Sequence, residues 1–298
     1  MSSHTFADSP TTKRPEGSAE RIARIGALKL GRQPIVMVTA YDVAAARAAE
    51  AAGVDIVLVG DSGANVVLGY GTTREVSLDE MLMLTRAVRR GLRETLLVGD
   101  LPFGTYEHSD EAAVATARRF VDEAGCDAVK LEGAGEMVQR VRAVVGAGIP
   151  VMGHVGLLPQ AARDASELRA KGRTADDAVR IIEDAKALEA AGCFSVVIEA
   201  VPAEVTALLA AHVGAPTIGI GAGAAADGQV LVLHDLLGIT PGRSAKFVKR
   251  YSDIGAQMLA GVRAFADEVR SRAYPAPEHT YAIAAEELEA LKEKLGGT

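Results

Sequence analysis

One pattern recurs along most of this chain and restricts its fold more than any other feature. A short apolar run, rich in β-branched residues, ends in a glycine or a polar residue, and a stretch with helical periodicity follows. The apolar runs are continuous, as expected for strands of a parallel sheet that is covered on both faces. Eight strands are predicted, at residues 35–39, 56–60, 95–99, 128–131, 150–153, 195–198, 217–220 and 230–233.

Helices are predicted between these strands, and strands that alternate with helices form right-handed βαβ units. Eight strands favour an α/β fold, the (β/α)8 or TIM barrel, and 298 residues are enough for it. A doubly wound open sheet is the alternative. An N-terminal helix at 19–30 precedes the barrel, and a C-terminal helical extension at 252–272 and 284–295 follows it. The helices between strands are predicted at 43–52, 78–90, 110–124, 136–145, 176–191 and 204–213.

Composition limits the domain organisation and the class of partner. Residues 1–17 are polar and are expected to be disordered, and residues 18–298 are expected to form a single barrel domain with its C-terminal helices. A net charge of −7 argues against a nucleic-acid or anionic-membrane partner. No secretory signal or bilayer-length apolar run is evident. With only two cysteines, Cys126 and Cys193, a reducing cytoplasm is expected.

Ionisable and polar residues mark the carboxyl ends of five predicted strands. In a barrel these ends converge on one mouth, which is the usual place for an active site. The alternative is that each charged residue simply marks a strand end and faces water. The residues are Asp61, Ser62, Asp100, Lys130, Glu132, His154 and Glu199.

Carboxylates without a nearby Cys/His cluster favour a hard divalent cation, Mg²⁺ first and Mn²⁺ next. Asp61 and Asp100 are the candidate ligands. Lys130 and Glu132 are two residues apart and should point the same way. The lysine could bind a substrate carboxylate or an enolate oxygen, and the glutamate could orient metal-bound water; a structural ion pair is the alternative.

Two further residues at strand ends are candidates for binding and acid–base work. His154 could hydrogen-bond the substrate, although a lone histidine is often a satisfied core residue. Glu199 follows an apolar strand, where desolvation would make a carboxylate a better base; a salt bridge is the alternative. Gly-Ile-Gly-Ala-Gly-Ala at 219–224 loosely matches a dinucleotide fingerprint, but no helix start follows, so a tight loop is predicted there.

Ten short motifs in collinear order resemble the ketopantoate hydroxymethyltransferase (3-methyl-2-oxobutanoate hydroxymethyltransferase) family, from about residue 20 to 280. Among them are Val-Gly-Asp-Ser at 59–62, Asp-Leu-Pro-Phe-Gly-Thr-Tyr at 100–106 and Val-Lys-Leu-Glu-Gly at 129–133. Others are Met-Val-Thr-Ala-Tyr-Asp at 37–42, Pro-Val-Met-Gly-His-Val-Gly-Leu at 150–157, Val-Ile-Glu-Ala-Val-Pro-Ala-Glu at 197–204 and Lys-Phe-Val-Lys-Arg-Tyr at 246–251.

The resemblance implies a role for each residue. Asp61 and Asp100 would bind Mg²⁺, and Glu132 would support the water shell of the metal. Ser62, Asp100, Lys130 and His154 would hold a 2-oxo acid, and Glu199 would be the catalytic base. The reaction implied is transfer of a one-carbon unit from 5,10-methylenetetrahydrofolate to 3-methyl-2-oxobutanoate, giving ketopantoate for pantothenate and coenzyme A synthesis. Members of the family form large homo-oligomers, typically decamers.

The sequence departs from the family pattern in the loop at 156–173, where Gly-Leu-Leu-Pro-Gln-Ala opens a segment without the usual glycine pair, aromatic residue and glutamine. Three alternatives therefore stay open. One is a paralogue that acts on another 2-oxo acid. A second is a Mg²⁺-dependent C–C lyase or aldolase that uses the same enolate, and a third is an inactive barrel that serves as a scaffold.

Overall fold

Eight parallel strands close into one barrel in the computed structural model, which describes residues 17–162, 167–240, 242 and 245–296. Each strand pairs with the next along the chain, and β1 pairs with β8. That last pairing rules out the open sheet and confirms the barrel. The strands are β1 Ile35–Thr39, β2 Ile56–Val59, β3 Leu96–Asp100, β4 Ala128–Lys130, β5 Val151–Gly156, β6 Ser195–Glu199, β7 Thr217–Ile220 and β8 Gly228–Leu231.

Eleven helices are found within the described residues. Most follow a strand, as predicted, and several begin at a side-chain N-cap, such as Asp42, Ser77, Ser109 and Thr174. None of the described helices is both long and apolar enough to cross a membrane. They are α1 Ser18–Leu30, α2 Val43–Ala51, α3 Gly63–Val66, α4 Leu78–Arg89, α5 Asp110–Asp122, α6 Met137–Gly146, α7 Ala175–Ala190, α8 Ala203–His212, α9 Leu233–Leu236, α10 Ile254–Ser271 and α11 Ala285–Lys294.

Alternate residues of each strand belong to two separate apolar cores, because successive side chains of a strand point to opposite faces of the sheet. One core fills the barrel and includes Met37, Leu58, Val98 and Met152. The other lies between the barrel and its helices and includes Val57 and Leu97. With both faces buried, the strands need apolar residues at every position, which explains their continuous apolar runs.

Helix α1 closes the end of the barrel opposite the mouth. Ile25 is fully buried in the interior core. Arg21 Nη1 lies 2.6 Å from Asp127 Oδ1, just before β4, and both side chains are buried. Lys29 Nζ donates to the carbonyl oxygens of Val213 and Ala215, just before β7. The polar mouth is therefore the open end.

The observed elements differ from the predicted ones at several points. The eighth strand begins at Gly228, and Leu233, predicted as its last residue, starts α9. The fully described link at 221–227 between β7 and β8 forms no helix, in agreement with the tight loop predicted there. The short helix α3 was not predicted. Residues 1–16, which were expected to be disordered, lie outside the described part of the chain, and the single-domain assignment stays a prediction.

Candidate active site

The barrel brings the predicted ionisable residues together at its mouth. Asp100, Lys130 and Glu199 are the last residues of β3, β4 and β6. His154 lies within β5, while Asp61 and Glu132 lie just beyond β2 and β4. All except Glu199 are buried, and Glu199 is partly buried. The alternative that each charged residue merely faces water at its own strand end is therefore wrong.

Lys130 forms the centre of the site through its contact with Asp100. The two residues are register partners on neighbouring strands, and Lys130 Nζ lies 2.8 Å from each Asp100 oxygen. Glu132 Oε1 is farther from the same ammonium, at 3.6 Å. Burial lowers the pKa of Lys130, but the charges of Asp100, Glu132 and Asp61 outweigh it and raise the pKa, so the lysine is a cation at neutral pH.

Asp61 lies against Asp100, because its backbone N–H donates to Asp100 Oδ2 over 3.2 Å. Burial raises the pKa of Asp61 to about 8, and the charges of Asp100 and Glu132 add to this rise. The pKa of Asp100 is also raised, chiefly by burial, despite the opposing charge of Lys130. Two buried carboxylates held side by side are thus costly to ionise without a further cation.

His154 lies between two carboxylates. Its Nδ1 is 3.2 Å from Glu132 Oε1, and its Nε2 is 3.4 Å from Glu199 Oε2. Burial and the charge of Lys130 lower the pKa of His154, but the two glutamates outweigh them and raise it to about 9. Lys130 and His154 together hold the pKa of Glu132 down against the effect of its burial. His154 is therefore not an isolated core histidine.

Ser62 is oriented by a residue to which no role was given from the sequence. The hydroxyls of Tyr41 and Ser62 are 2.8 Å apart. Gly63 leaves room for the Tyr41 ring, because a Cβ at position 63 would lie 2.9 Å from ring atoms. Ser62, Asp61 and Glu199 all line the same cavity. Tyr41 belongs to the family-like motif at 37–42, so the sequence marked it as a residue of interest. A motif at a strand end does not show which side chain Tyr41 contacts.

The donor set at this mouth fits a hard divalent cation. Asp61 Oδ2 is buried and finds no hydrogen-bond partner among the described residues. If ionised, Asp61, Asp100, Glu132 and Glu199 carry four negative charges against the two of protonated Lys130 and His154. Mg²⁺ takes one or two protein carboxylates and fills its other positions with water and substrate oxygens. No group of three or more His, Cys, Asp or Glu side chains in the described ranges has metal-ligating geometry. Asp100 is in contact with Lys130 instead.

Gln160 and Tyr106 are two further residues of the mouth that the sequence analysis did not predict as site residues. Both are buried, and both contact Glu132 through hydrogen bonds. Gln160 belongs to the Gly-Leu-Leu-Pro-Gln-Ala segment, whose first half is thus packed into the site. Residues 163–166 of the divergent loop lie outside the described residues.

The cavity lined by the mouth residues has a total volume of about 1480 Å³. It is not confined to the mouth, because its lining also includes Lys29 at the closed end and Val36 and Gln229 on the outer wall of β1 and β8. Gly221 and Gly223, in the predicted tight loop after β7, line it with positive φ angles of 62° and 78°. Since no helix starts in this loop, the dinucleotide interpretation is excluded.

Several proteins of known name are similar to this chain over most of its length. A family model described as ketopantoate hydroxymethyltransferase matches residues 20–277. A protein of Nitratidesulfovibrio vulgaris named 3-methyl-2-oxobutanoate hydroxymethyltransferase is 47% identical over 295 residues, which are 99% of this chain and 96% of the relative. A Deinococcus radiodurans protein of the same name is 49% identical over 259 residues, 87% of this chain and 91% of the relative.

Solved structures with a similar fold have much lower sequence identity. A phosphoenolpyruvate phosphomutase of Streptomyces platensis subsp. rosaceus superposes with a TM-score of 0.60 at 17% identity, covering 94% of this chain and 96% of its own. A phosphonopyruvate hydrolase in complex with oxalate and Mg²⁺ gives 0.57 at 13% identity, covering 92% and 98%. These two support the barrel fold alone. The family model and the near full-length relatives, together with the site at the barrel mouth, show that this chain is an enzyme of the ketopantoate hydroxymethyltransferase family.

Proposed function

We propose that this enzyme transfers a one-carbon unit from 5,10-methylenetetrahydrofolate to the enolate of 3-methyl-2-oxobutanoate and so makes ketopantoate for pantothenate and coenzyme A synthesis. The observation that carries the proposal is the convergence of Asp61, Asp100, Lys130, His154 and Glu199 on one cavity. The near full-length relatives named for this activity support it.

The first requirement of the reaction is a site for a 2-oxo acid. Ser62 offers a hydroxyl held by Tyr41, and Lys130 and His154 offer positive charge for the carboxylate and keto oxygens. Asp61 and Asp100 would hold Mg²⁺, with Glu132 supporting its water shell. When bound there, Mg²⁺ would supply Lewis-acid polarisation of the substrate oxygens.

Glu199 is the proposed base for the C3 proton of the 2-oxo acid. Both glutamates line the cavity, but the Glu199 side chain is 17% exposed, against 3% for Glu132, so Glu199 is the more accessible carboxylate. His154 Nε2 lies 3.4 Å from Glu199 Oε2. The C3–H electron pair becomes the enolate, whose oxygen is stabilised by the ammonium of Lys130.

The second half of the reaction forms a C–C bond. The enolate carbon bonds to the methylene carbon as one C–N bond of the folate breaks, and that nitrogen takes up the proton removed from C3. Water then displaces the second folate nitrogen, gives it a proton and leaves the hydroxyl on the new carbon, so tetrahydrofolate departs. A Mg²⁺-dependent lyase or aldolase would share the enolate but would need no folate. Folate-free cleavage of a substituted 2-oxo acid would therefore distinguish that alternative.

The proposal is tested by loss of the C3 proton signal by NMR in D₂O, with a panel of 2-oxo acids, Mg²⁺ and no folate. Fast exchange of 3-methyl-2-oxobutanoate, followed by ketopantoate formation when the folate is added, is expected. Exchange of a different acid alone would indicate a paralogue with the same chemistry. No exchange with any acid, with or without folate, would contradict the proposal and revive the inactive scaffold.

A homo-oligomer is proposed because an apolar helix face and a barrel wall both lack a cover in the described part of the chain. Helix α10 has no buried residue, and Met258, Val262, Phe265 and Val269 form an exposed stripe at helical spacing. On the outside of the barrel, Val36 of β1 is 49% exposed, and Gln229 of β8 is also exposed. We propose that α10 of a second copy covers this wall, in an assembly that the family resemblance suggests is a decamer.

The cytoplasm is the proposed location of the enzyme. Both cysteines of the chain, Cys126 and Cys193, are buried and free. Burial raises the pKa of Cys126 and Cys193, so both are poor thiolate nucleophiles. Free buried thiols are typical of a reducing compartment.

A further inference from the structure

The loop after β5 is fixed at its start by the end of β6. Gly156 has a φ of 94°, and a Cβ at this position would lie 2.4 Å from the carbonyl oxygen of Glu199. Leu157 N–H donates to that same oxygen over 2.9 Å. Pro159 then begins a 3-10 turn at Pro159–Ala161, which directs Gln160 into the protein, where it is 2% exposed.

Gln160 uses its backbone and its side chain to reach three other loops of the mouth. Its Nε2 donates to the carbonyl oxygen of Leu101 over 3.0 Å, and its Oε1 accepts from the Tyr106 hydroxyl over 2.7 Å. Its carbonyl oxygen accepts from Arg74 Nη1 over 3.1 Å. Its own N–H donates to Glu132 Oε2 over 3.0 Å.

These contacts form a closed ring around Glu132. The Glu132 N–H donates to the Tyr106 oxygen over 3.2 Å, the Tyr106 hydroxyl donates to Gln160, and the Gln160 N–H returns to Glu132 Oε2. The ring engages one carboxylate oxygen and leaves the other, Oε1, facing Lys130 and His154 at 3.6 and 3.2 Å. The two carboxylate oxygens of Glu132 therefore have different partners: Oε2 accepts from Gln160, and Oε1 faces Lys130 and His154.

We infer that Gln160 is a positioning residue, which acts through Tyr106 and Glu132 to hold Glu132 Oε1 between Lys130 and His154. This inference rests on the proposed function for its catalytic consequence. It needs both halves of the Gln160 amide, because loss of the amide leaves the Tyr106 hydroxyl and the Leu101 carbonyl buried without their partner and also removes the hydrogen bond of the Gln160 side chain to Asp61. A buried polar group without a partner costs free energy, so Tyr106 should shift toward another partner. Glu132 should shift as well, because its N–H donates to the Tyr106 oxygen.

The test compares Gln160→Met, which keeps the size of the side chain but removes its donor and acceptor, with the control Thr116→Val. Thr116 Oγ1 donates to the carbonyl oxygen of Thr105, in the loop that also carries Tyr106, and does not touch Glu132. In the full-length enzyme, Gln160→Met should lower kcat for C3 proton exchange about 10–100-fold and change KM less than about 3-fold. Thr116→Val should change neither by more than about 3-fold.

A second variant tests the route through the ring. Tyr106→Phe removes the hydroxyl that links Glu132 to Gln160, so it should lower kcat to a similar extent. The double variant Tyr106→Phe/Gln160→Met should be no slower than the slower single variant, because both changes break one ring. Multiplying effects in the double variant would overturn the coupled role.

A signal that does not depend on the reaction separates this inference from the proposed function. The Cε1–H signal of His154, in protein labelled at histidine Cε1, should shift in Gln160→Met and in Tyr106→Phe but not in Thr116→Val. If the wild type exchanges no 2-oxo acid, the proposed function fails, and this shift alone decides whether Gln160 positions Glu132. An unmoved signal, or a kcat within about 3-fold of wild type in Gln160→Met, would overturn the inference.

Discussion

Charge balance among a few buried side chains dominates this site at the scale of single residues. Asp61 and Asp100 lie side by side at an energetic cost: burial raises the pKa of both carboxyls, and the charge of Asp100 raises the pKa of Asp61 further. Lys130 offsets part of this cost through its contact with Asp100. Such an arrangement favours binding of a further cation and ties the stability of the protein to pH.

Glu199→Gln should reduce C3 proton exchange to the background rate, because an amide cannot accept the proton. The Mg²⁺-dependent rise in melting temperature should persist, since Glu199 is not among the proposed ligands. NMR in D₂O and thermal denaturation measure the two effects. Glu204→Gln on exposed α8 is the control and should behave as wild type. Full exchange in Glu199→Gln would remove Glu199 from the role of base.

The metal-free enzyme should lose thermal stability as pH rises from about 6 to 9. With a folded pKa of about 8, Asp61 keeps its proton where the unfolded carboxyl has lost it, so the stability that this proton provides disappears as pH rises through 8. His154, with a folded pKa of about 9, acts in the same direction above its unfolded value of about 6.5. Mg²⁺ should stabilise the protein more at the higher pH.

Asp61→Asn should make this pH dependence shallower and abolish stabilisation by Mg²⁺. Melting temperatures at several pH values, with and without Mg²⁺, measure both effects. Asp122→Asn, an exposed change on α5, should follow the wild type. An Asp61→Asn protein with the same pH dependence as the wild type would show that Asp61 is not the titrating group.

At the scale of elements, the closed end and the open end of the barrel are held by different means. Helix α1 closes one end through Ile25 and through Arg21, which pairs with buried Asp127. Asp127 also accepts from Ser18 Oγ, Arg89 Nη1 and Leu97 N–H, so it joins α1, α4 and β3. At the open end, the hydrogen-bonded ring of Glu132, Tyr106 and Gln160 joins loops that follow different strands.

Asp127→Ala should destabilise the protein by about 3–5 kcal/mol, because it leaves the buried Arg21 guanidinium without its carboxylate. Urea denaturation of the oligomer at fixed protein concentration measures the change. Asp267→Ala removes a pair with Arg270 in which both side chains are more than 75% exposed, and it should cost less than about 1 kcal/mol. Equal losses in the two variants would show that Asp127 does not anchor α1.

At the scale of the whole molecule, the described part of one chain leaves an apolar helix and a barrel wall exposed. An exposed stripe such as that of α10 is typical of an interface between proteins. The exposed stripe of α10 contains none of the residues that line the cavity, so oligomer formation and catalysis can be tested with separate variants.

Val262→Glu should break the proposed oligomer, because it places a charge in the centre of the α10 stripe, where Val262 is 66% exposed. Analytical ultracentrifugation of this variant should show a smaller species than the wild type. Ala260→Glu adds the same charge on another side of α10 and should leave the assembly intact. A wild-type protein that sediments as a monomer would contradict the proposal.

The sequence alone determined the barrel and the residues at its mouth, whereas only the tertiary structure decided which of those residues touch. Continuous apolar runs and helical periodicity depend on local chemistry, so they predicted β1 to β8 and placed Asp61, Asp100, Lys130, Glu132, His154 and Glu199 at strand ends. The spacing of Lys130 and Glu132 predicted side chains that point the same way, with an ion pair as the alternative, and the two lie 3.6 Å apart. Lys130 is closer to Asp100, at 2.8 Å, because the register of β3 against β4 sets neighbours across strands. The ring through Gln160 and the uncovered face of α10 likewise depend on contacts between segments that are distant in sequence, which no local pattern records.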